Sequence, residues 1–208
     1  MHNSDDLKNA VRLHRLGKLD EARQIYLRIL DRFPKNSDAL HLLGVVEHQA
    51  GKYDKAIQLI NWAIELKPGQ ASYYLNLGNA YQESSLLEQA VVCFNKAIDL
   101  KPEYVEAFFN LGNTLFVQGK LDSAIRNYQD AVHLNPDLIE GYLSLGQAFE
   151  QQGNRGQALS NYQSALRIKS DCTGASIRLG SLHQSLNNHP EAIQCFGRAV
   201  AALSLIHI

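Results

Sequence analysis

Residues 105–138 read VEAFFNLGNTLFVQGKLDSAIRNYQDAVHLNPDL, and the chain repeats this unit along its length. Pro136 closes it, and Pro102, Pro68 and Pro34 stand before it at successive steps of 34 residues. Within the unit, Phe108, Leu111, Gly112 and Leu115 fall at i, i+3, i+4 and i+7, the spacing of one buried helical stripe. A second stripe, Ala124, Tyr128, Ala131 and Val132, follows a turn at Gly119, a residue that adopts positive φ at low steric cost. A hairpin of two such helices is too small to bury its own apolar face, so a fixed period of this length predicts stacked copies.

Aligned on the prolines, the chain divides into six units, 3–36, 37–70, 71–104, 105–138, 139–172 and 173–206, forming one array over 3–206. Gly44, Gly78, Gly112, Gly146 and Gly180 share one position, and Ala22, Ala56, Ala90, Ala124, Ala158 and Ala192 another. Small residues on an apolar stripe let paired helices approach closely, and the large residue of each hairpin (Tyr26, Ile60, Phe94, Tyr128, Tyr162 or Phe196) is expected to fill the space above the glycine. Asn9 and Ala10 replace Leu-Gly in the first unit, so its first helix is expected to carry a wetter face. Ser85 and Asn187 stand where the turn glycine stands elsewhere. The chain closes on LSLIHI, apolar where a solenoid needs a polar cap. The array is therefore expected either to continue or to end in a foreign tail, and residues 207–208 are set apart on that ground.

These positions resemble the tetratricopeptide repeat pattern: Leu-Gly, an aromatic, Gly, Ala, an aromatic, Ala and a closing Pro, in phase through six units. The resemblance implies an all-α fold, a right-handed α-α superhelix (solenoid) of six helix-turn-helix repeats.

Composition narrows the function. The formal net charge is -1, whereas a protein that grips phosphates carries a basic excess, so nucleic acid is not expected as a partner. No apolar run is long enough for a membrane span, and the polar N-terminus lacks a signal sequence. Cys93, Cys172 and Cys195 are odd in number and form no CxxC pair, which suits free thiols in a reducing, cytoplasmic compartment. No phosphate loop, HExxH or GxSxG is present, so no catalytic residue, cofactor or metal is assigned. His41 and His48 are roughly 10 Å apart along a helix, too far to share a metal bound at about 2 Å, and read as groove or surface residues.

In the family that the pattern resembles, the first helices line a concave groove. The positions implied to face it include Asn76, Asn79, Phe109, Asn110, Asn113, Phe116, Val117 and Gln147. Asn76 and Asn110 share one position and Asn79 and Asn113 another, a ladder of amides that can pair with the backbone of an extended peptide whatever its sequence. The other known groove of the family, a clamp for the acidic C-terminal tails of chaperones, needs basic residues where this chain has Leu75, Glu140 and Ser144, so such tails are a poor fit.

Residues 38–68, with YYLNLGNAYQ at 73–82, are also similar to the repeat arrays joined to O-linked N-acetylglucosamine transferase-like domains and to sulfotransferase-like domains. In the transferase arrays an asparagine ladder holds protein substrates; Asn76 and Asn110 match it, and Leu42, Ser144 and Arg178 do not. The expectation is a non-catalytic scaffold that binds a protein or extended peptide in the groove. Two alternatives stand beside it: the recruiting part of an enzyme whose catalytic domain lies elsewhere, and an assembly scaffold using the convex face, where Trp62 lies on a second helix.

Overall fold

The computed structural model describes residues 2–204, which form twelve α-helices and no strand among the described residues. The expected all-helical fold of paired helices is what is found. The tail set apart at 207–208 lies outside the described residues.

The chain separates into two compact units, Met1–Ala107 and Phe108–Ile208. In the first, α1 (His2–Arg15) pairs with α2 (Leu19–Arg32), α3 (Ser37–Gln49) with α4 (Tyr53–Leu66), and α5 (Ala71–Glu83) with α6 (Leu87–Leu100). The boundary falls within α7 (Val105–Val117), which pairs with α8 (Leu121–Leu134). In the second unit α9 (Ile139–Gln151) pairs with α10 (Arg155–Ile168), and α11 (Thr173–Ser185) with α12 (His189–Ser204).

Steric fit explains the repeated small residues. A Cβ added to Gly112 would lie 2.6 Å from the Tyr128 ring, and one added to Gly78 would lie 2.6 Å from the Phe94 ring. Gly44, Gly146 and Gly180 meet Ile60, Tyr162 and Phe196 in the same way. The alanines at 22, 56, 90, 124 and 158 are fully buried. Each hairpin thus closes over a large side chain, whose burial contributes about 1.5–3 kcal/mol. The turns obey the period as well. Gly119 has φ +74°, and Ser85 and Asn187 take the same left-handed conformation at φ 61° and 59°. Asn36 caps α3 by accepting from the Ala39 N–H at 2.9 Å.

In the first unit Ala10 is buried while Lys8, Asn9 and Arg12 are exposed, so α1 does carry the wetter face. The core there contains one charged residue that the period does not announce. Glu47 stands where Leu13 and Tyr81 stand in the neighbouring hairpins, and it is fully buried. Arg23 Nε from α2 and Lys55 Nζ from α4 each donate to its Oε1 at 3.1 Å, and Lys52 Nζ lies 3.7 Å from Oε2. Burial alone would push this carboxyl up. The Lys55 hydrogen bond and the charges of Arg23, Lys55 and Lys52 outweigh it and hold the group below the usual carboxylate range.

Candidate functional site

The candidate residues divide between the two units, Asn76 and Asn79 in the first and Phe109, Asn110, Asn113, Phe116 and Gln147 in the second. Each set is therefore described with the first helices of its own unit.

In the first unit, side-chain hydrogen bonds spanning 35 residues join successive first helices. His14 Nε2 and Gln49 Oε1 meet at 2.9 Å between α1 and α3. Between α3 and α5, the Tyr73 hydroxyl donates to Asp38 Oδ1 at 2.5 Å, and the Asn76 amide lies 2.8 Å from His41 Nε2. The His41 ring stacks on Tyr73 with centroids 4.2 Å apart. His41 is accordingly buried, not the open groove or surface residue that its place in the period suggests. Burial lowers its pKa to about 4, against the opposing effects of the Asp38 charge and a hydrogen bond to the Ser72 backbone. The ring is therefore neutral at pH 7, and the Asn76 N–H donates to Nε2 in the tautomer that carries its proton on Nδ1. Asn76 and Asn79 are half-buried. Part of the amide capacity of Asn76 is spent within the fold. Leu75, on the same helix, is buried.

In the second unit the second helices reach through to the first-helix face. The Tyr128 hydroxyl donates to Asn113 Oδ1 at 2.9 Å, and the Tyr162 hydroxyl donates to the Glu150 carboxylate. Each hydroxyl also bonds the following first helix, Tyr128 to Ser144 and Tyr162 to Arg178. Burial pushes the Tyr128 hydroxyl up to about 12, with the Ser144 bond opposing, and it raises Tyr162, where Glu150 adds to the effect. The first unit shows what happens without such partners. Val11 and Leu42 stand where Asn113 and Ser144 would, and the buried Tyr26 hydroxyl has no hydrogen-bond partner among the described residues.

The Phe109 ring packs 5.8 Å from the Tyr128 ring, so Phe109, Asn113 and Tyr128 form one group. Phe109, Asn110, Asn113, Phe116 and Gln147 are all half-buried. Beside them, Val117 is 67% exposed and Ile177, one repeat beyond Leu143, is 45% exposed. The face therefore offers amides and unpartnered apolar side chains together. The tyrosine contacts escaped the sequence analysis, although a signal was present: Ser144 and Arg178 follow tyrosines by 16 residues, whereas Asn76 follows Ile60, which has no hydroxyl.

Little else on these helices suggests chemistry. No group of three or more His, Cys, Asp or Glu side chains among the described residues could hold a metal ion. The three thiols are free, and burial pushes Cys93 up to about 11, away from a reactive thiolate. Among the described residues no helix is long and apolar enough to cross a membrane.

A family model described as "Tetratricopeptide repeat" matches residues 7–71 and 143–204, and one described as "TPR repeat" matches 87–119 and 112–153. No curated protein sequence matches the chain. Many solved structures share its fold. The crystal structure of MamA is 27% identical, with 77% of this chain and 94% of that one covered at a TM-score of 0.72. PilF of Pseudomonas aeruginosa is 17% identical over 93% of this chain and 88% of its own, at a TM-score of 0.82. YrrB, described as a TPR protein with an unusual peptide-binding site, is 19% identical over 88% of this chain and 98% of its own, at a TM-score of 0.69.

Proposed function

The chain belongs to the tetratricopeptide repeat family, and from that premise we propose that it is a non-catalytic scaffold that binds a protein segment in extended form along its first helices. The observation that carries this is the exposure of Val117 on α7, which also bears the half-buried amides Asn110 and Asn113, with a half-buried amide at Gln147 on α9 and a further exposed apolar residue at Ile177 on α11. Apolar side chains in water gain by being covered, and amides beside them satisfy the backbone of whatever covers them. An extended segment brings both, side chains for the apolar positions and N–H and C=O groups for the amides. In the first unit Asn76 and Asn79 would serve the same end, with Asn76 exchanging or sharing its bond to His41. The peptide-binding site in the description of YrrB is that protein's own, and it makes peptide binding on this fold a known use.

A second reading deepens the first. The similarity of 38–68 and 73–82 to arrays that precede glycosyltransferase-like or sulfotransferase-like domains favours a scaffold that recruits substrates for a catalytic domain in a longer protein.

Both rest on the same test. Peptides selected from a random display library against the full chain should bind wild type, and Asn76→Ala, Asn110→Ala and Phe109→Ala should each weaken them roughly fivefold, the worth of about one hydrogen bond or contact. Affinity unchanged in all three variants, with circular dichroism intact, would reject the first-helix site.

A further inference from the structure

Leu13, Glu47, Tyr81, Leu115, Phe149 and His183 occupy one position of the repeat, where Glu47 and His183 replace the aliphatic or aromatic residue of the other units. In the first unit the intrusion is answered from within, by Arg23, Lys52 and Lys55. In the second it is not. His183 takes the place that Leu115 and Phe149 fill with hydrocarbon, and its Nδ1 is buried with no hydrogen-bond partner among the described residues. A buried polar atom without a protein partner calls for an explanation.

The surroundings of His183 supply the rest. It lines a cleft of about 510 Å³ between α10, α11 and α12, within the range of small-molecule sites. Arg167 from α10 and Arg198 from α12 line the same cleft. Both are exposed; Arg167 donates to Ser164 Oγ at 2.7 Å, and neither has an ion pair among the described residues. Leu166 and Leu179 form apolar wall, and Glu191, in the first turn of α12, is the one acidic lining group. One repeat earlier the equivalents of Arg167, His183 and Arg198 are His133, Phe149 and Ser164, so neither guanidinium has a counterpart there and a ring fills the core position.

We propose that this cleft binds a small molecule with an oxyanion group, a carboxylate or phosphate, on an apolar body. The guanidinium groups of Arg167 and Arg198 hold the anion, His183 donates from Nδ1, and Leu166 and Leu179 cover the body. Glu191 repels excess negative charge and so limits how highly charged the ligand is. The site is independent of the first-helix face.

Phenyl phosphate and benzoate, titrated into the full chain at fixed ionic strength and followed by amide chemical shifts, test this directly. Saturable binding of either, with the largest shifts around His183 and Arg198, is expected, and the tighter probe identifies the anionic group. Arg198→Gln should weaken that probe at least tenfold, His183→Phe should abolish binding by filling the cleft as Phe149 does, and Glu191→Gln should tighten it. Both arginines are exposed, so the Arg198→Gln variant retains the fold, which circular dichroism checks. No saturable binding of either probe, or equal affinity in wild type and Arg198→Gln, would overturn the proposal.

Discussion

The ring of Tyr128 occupies the space that a side chain on Gly112 would need, with its Cδ1 and Cε1 atoms each 2.6 Å from where a Cβ would lie. Tyr128 is itself 2% exposed and tied by its hydroxyl to Asn113, so it has no room to withdraw. Gly112→Ala therefore forces the two helices of the hairpin apart. The expected cost is about 1–3 kcal/mol, the usual range for overpacking, although alanine favours the helix by up to about 1 kcal/mol in the absence of a clash. Urea denaturation decides it: a variant as stable as wild type would mean that the ring moves at no cost.

The turn position offers the opposite experiment. Ser85 and Asn187 hold φ near +60°, where an L-residue with a Cβ is disfavoured by roughly 1–2 kcal/mol and asparagine by less. Glycine relieves that strain but adds about 0.4–1 kcal/mol of unfolded-chain entropy to be lost on folding. Ser85→Gly should accordingly raise the melting temperature, and Asn187→Gly should change it less. A lower melting temperature for Ser85→Gly would show that the serine makes a contact worth more than its strain.

These two relationships were legible in the sequence because each acts within one hairpin. The glycine and its ring are 16 residues apart, as in Gly112 and Tyr128, and the turn needs only one φ. The candidate site was less legible. Asn76 and Asn113 appear in the sequence as amides facing outward, yet one is bonded to His41 and the other accepts from Tyr128, contacts that depend on which neighbours lie across the helix pair. His41 and Glu47 are harder still. A period reports that a position is buried, not that a polar residue placed there will find partners from two other helices, as Glu47 does with Arg23 and Lys55.

His41 makes stability sensitive to mild acid. Its pKa falls from 6.5 to about 4 on folding, because burial disfavours the imidazolium. Between those values the unfolded chain binds the proton and the folded chain does not, so stability is full above pH 6.5 and declines as pH falls toward 4. The decline is on the order of 3 kcal/mol if no other group compensates. His41→Leu, which copies Leu75 and Leu7 at the same position, should flatten denaturant stability across that window. A slope equal to that of wild type would assign the pH dependence to another group.

Glu47 acts lower on the pH scale and with different chemistry. Its folded pKa is depressed, so its contribution is present above the unfolded value near 4.3 and is lost as pH falls below it through the folded value. Arg23→Ala removes the cation that donates to Oε1 at 3.1 Å from a largely buried position, and leaves the carboxylate to Lys55 and Lys52, whose side chains are about half exposed. A loss of about 1–3 kcal/mol at pH 7 is expected, the cost of a buried charge with incomplete partners. Glu47→Leu restores the residue type of Leu13 and Leu115 and lets the three cations hydrate, so it should be neutral or stabilising at pH 7. The two variants together separate the cost of burying the charge from the worth of pairing it. Because the leucine does not titrate, the gap between Glu47→Leu and wild type should widen in favour of the variant as pH falls below the unfolded carboxyl value near 4.3, as measured by guanidinium unfolding. A constant gap would show that the carboxyl titrates alike in the folded and unfolded chains, so that its partners do not depress its pKa.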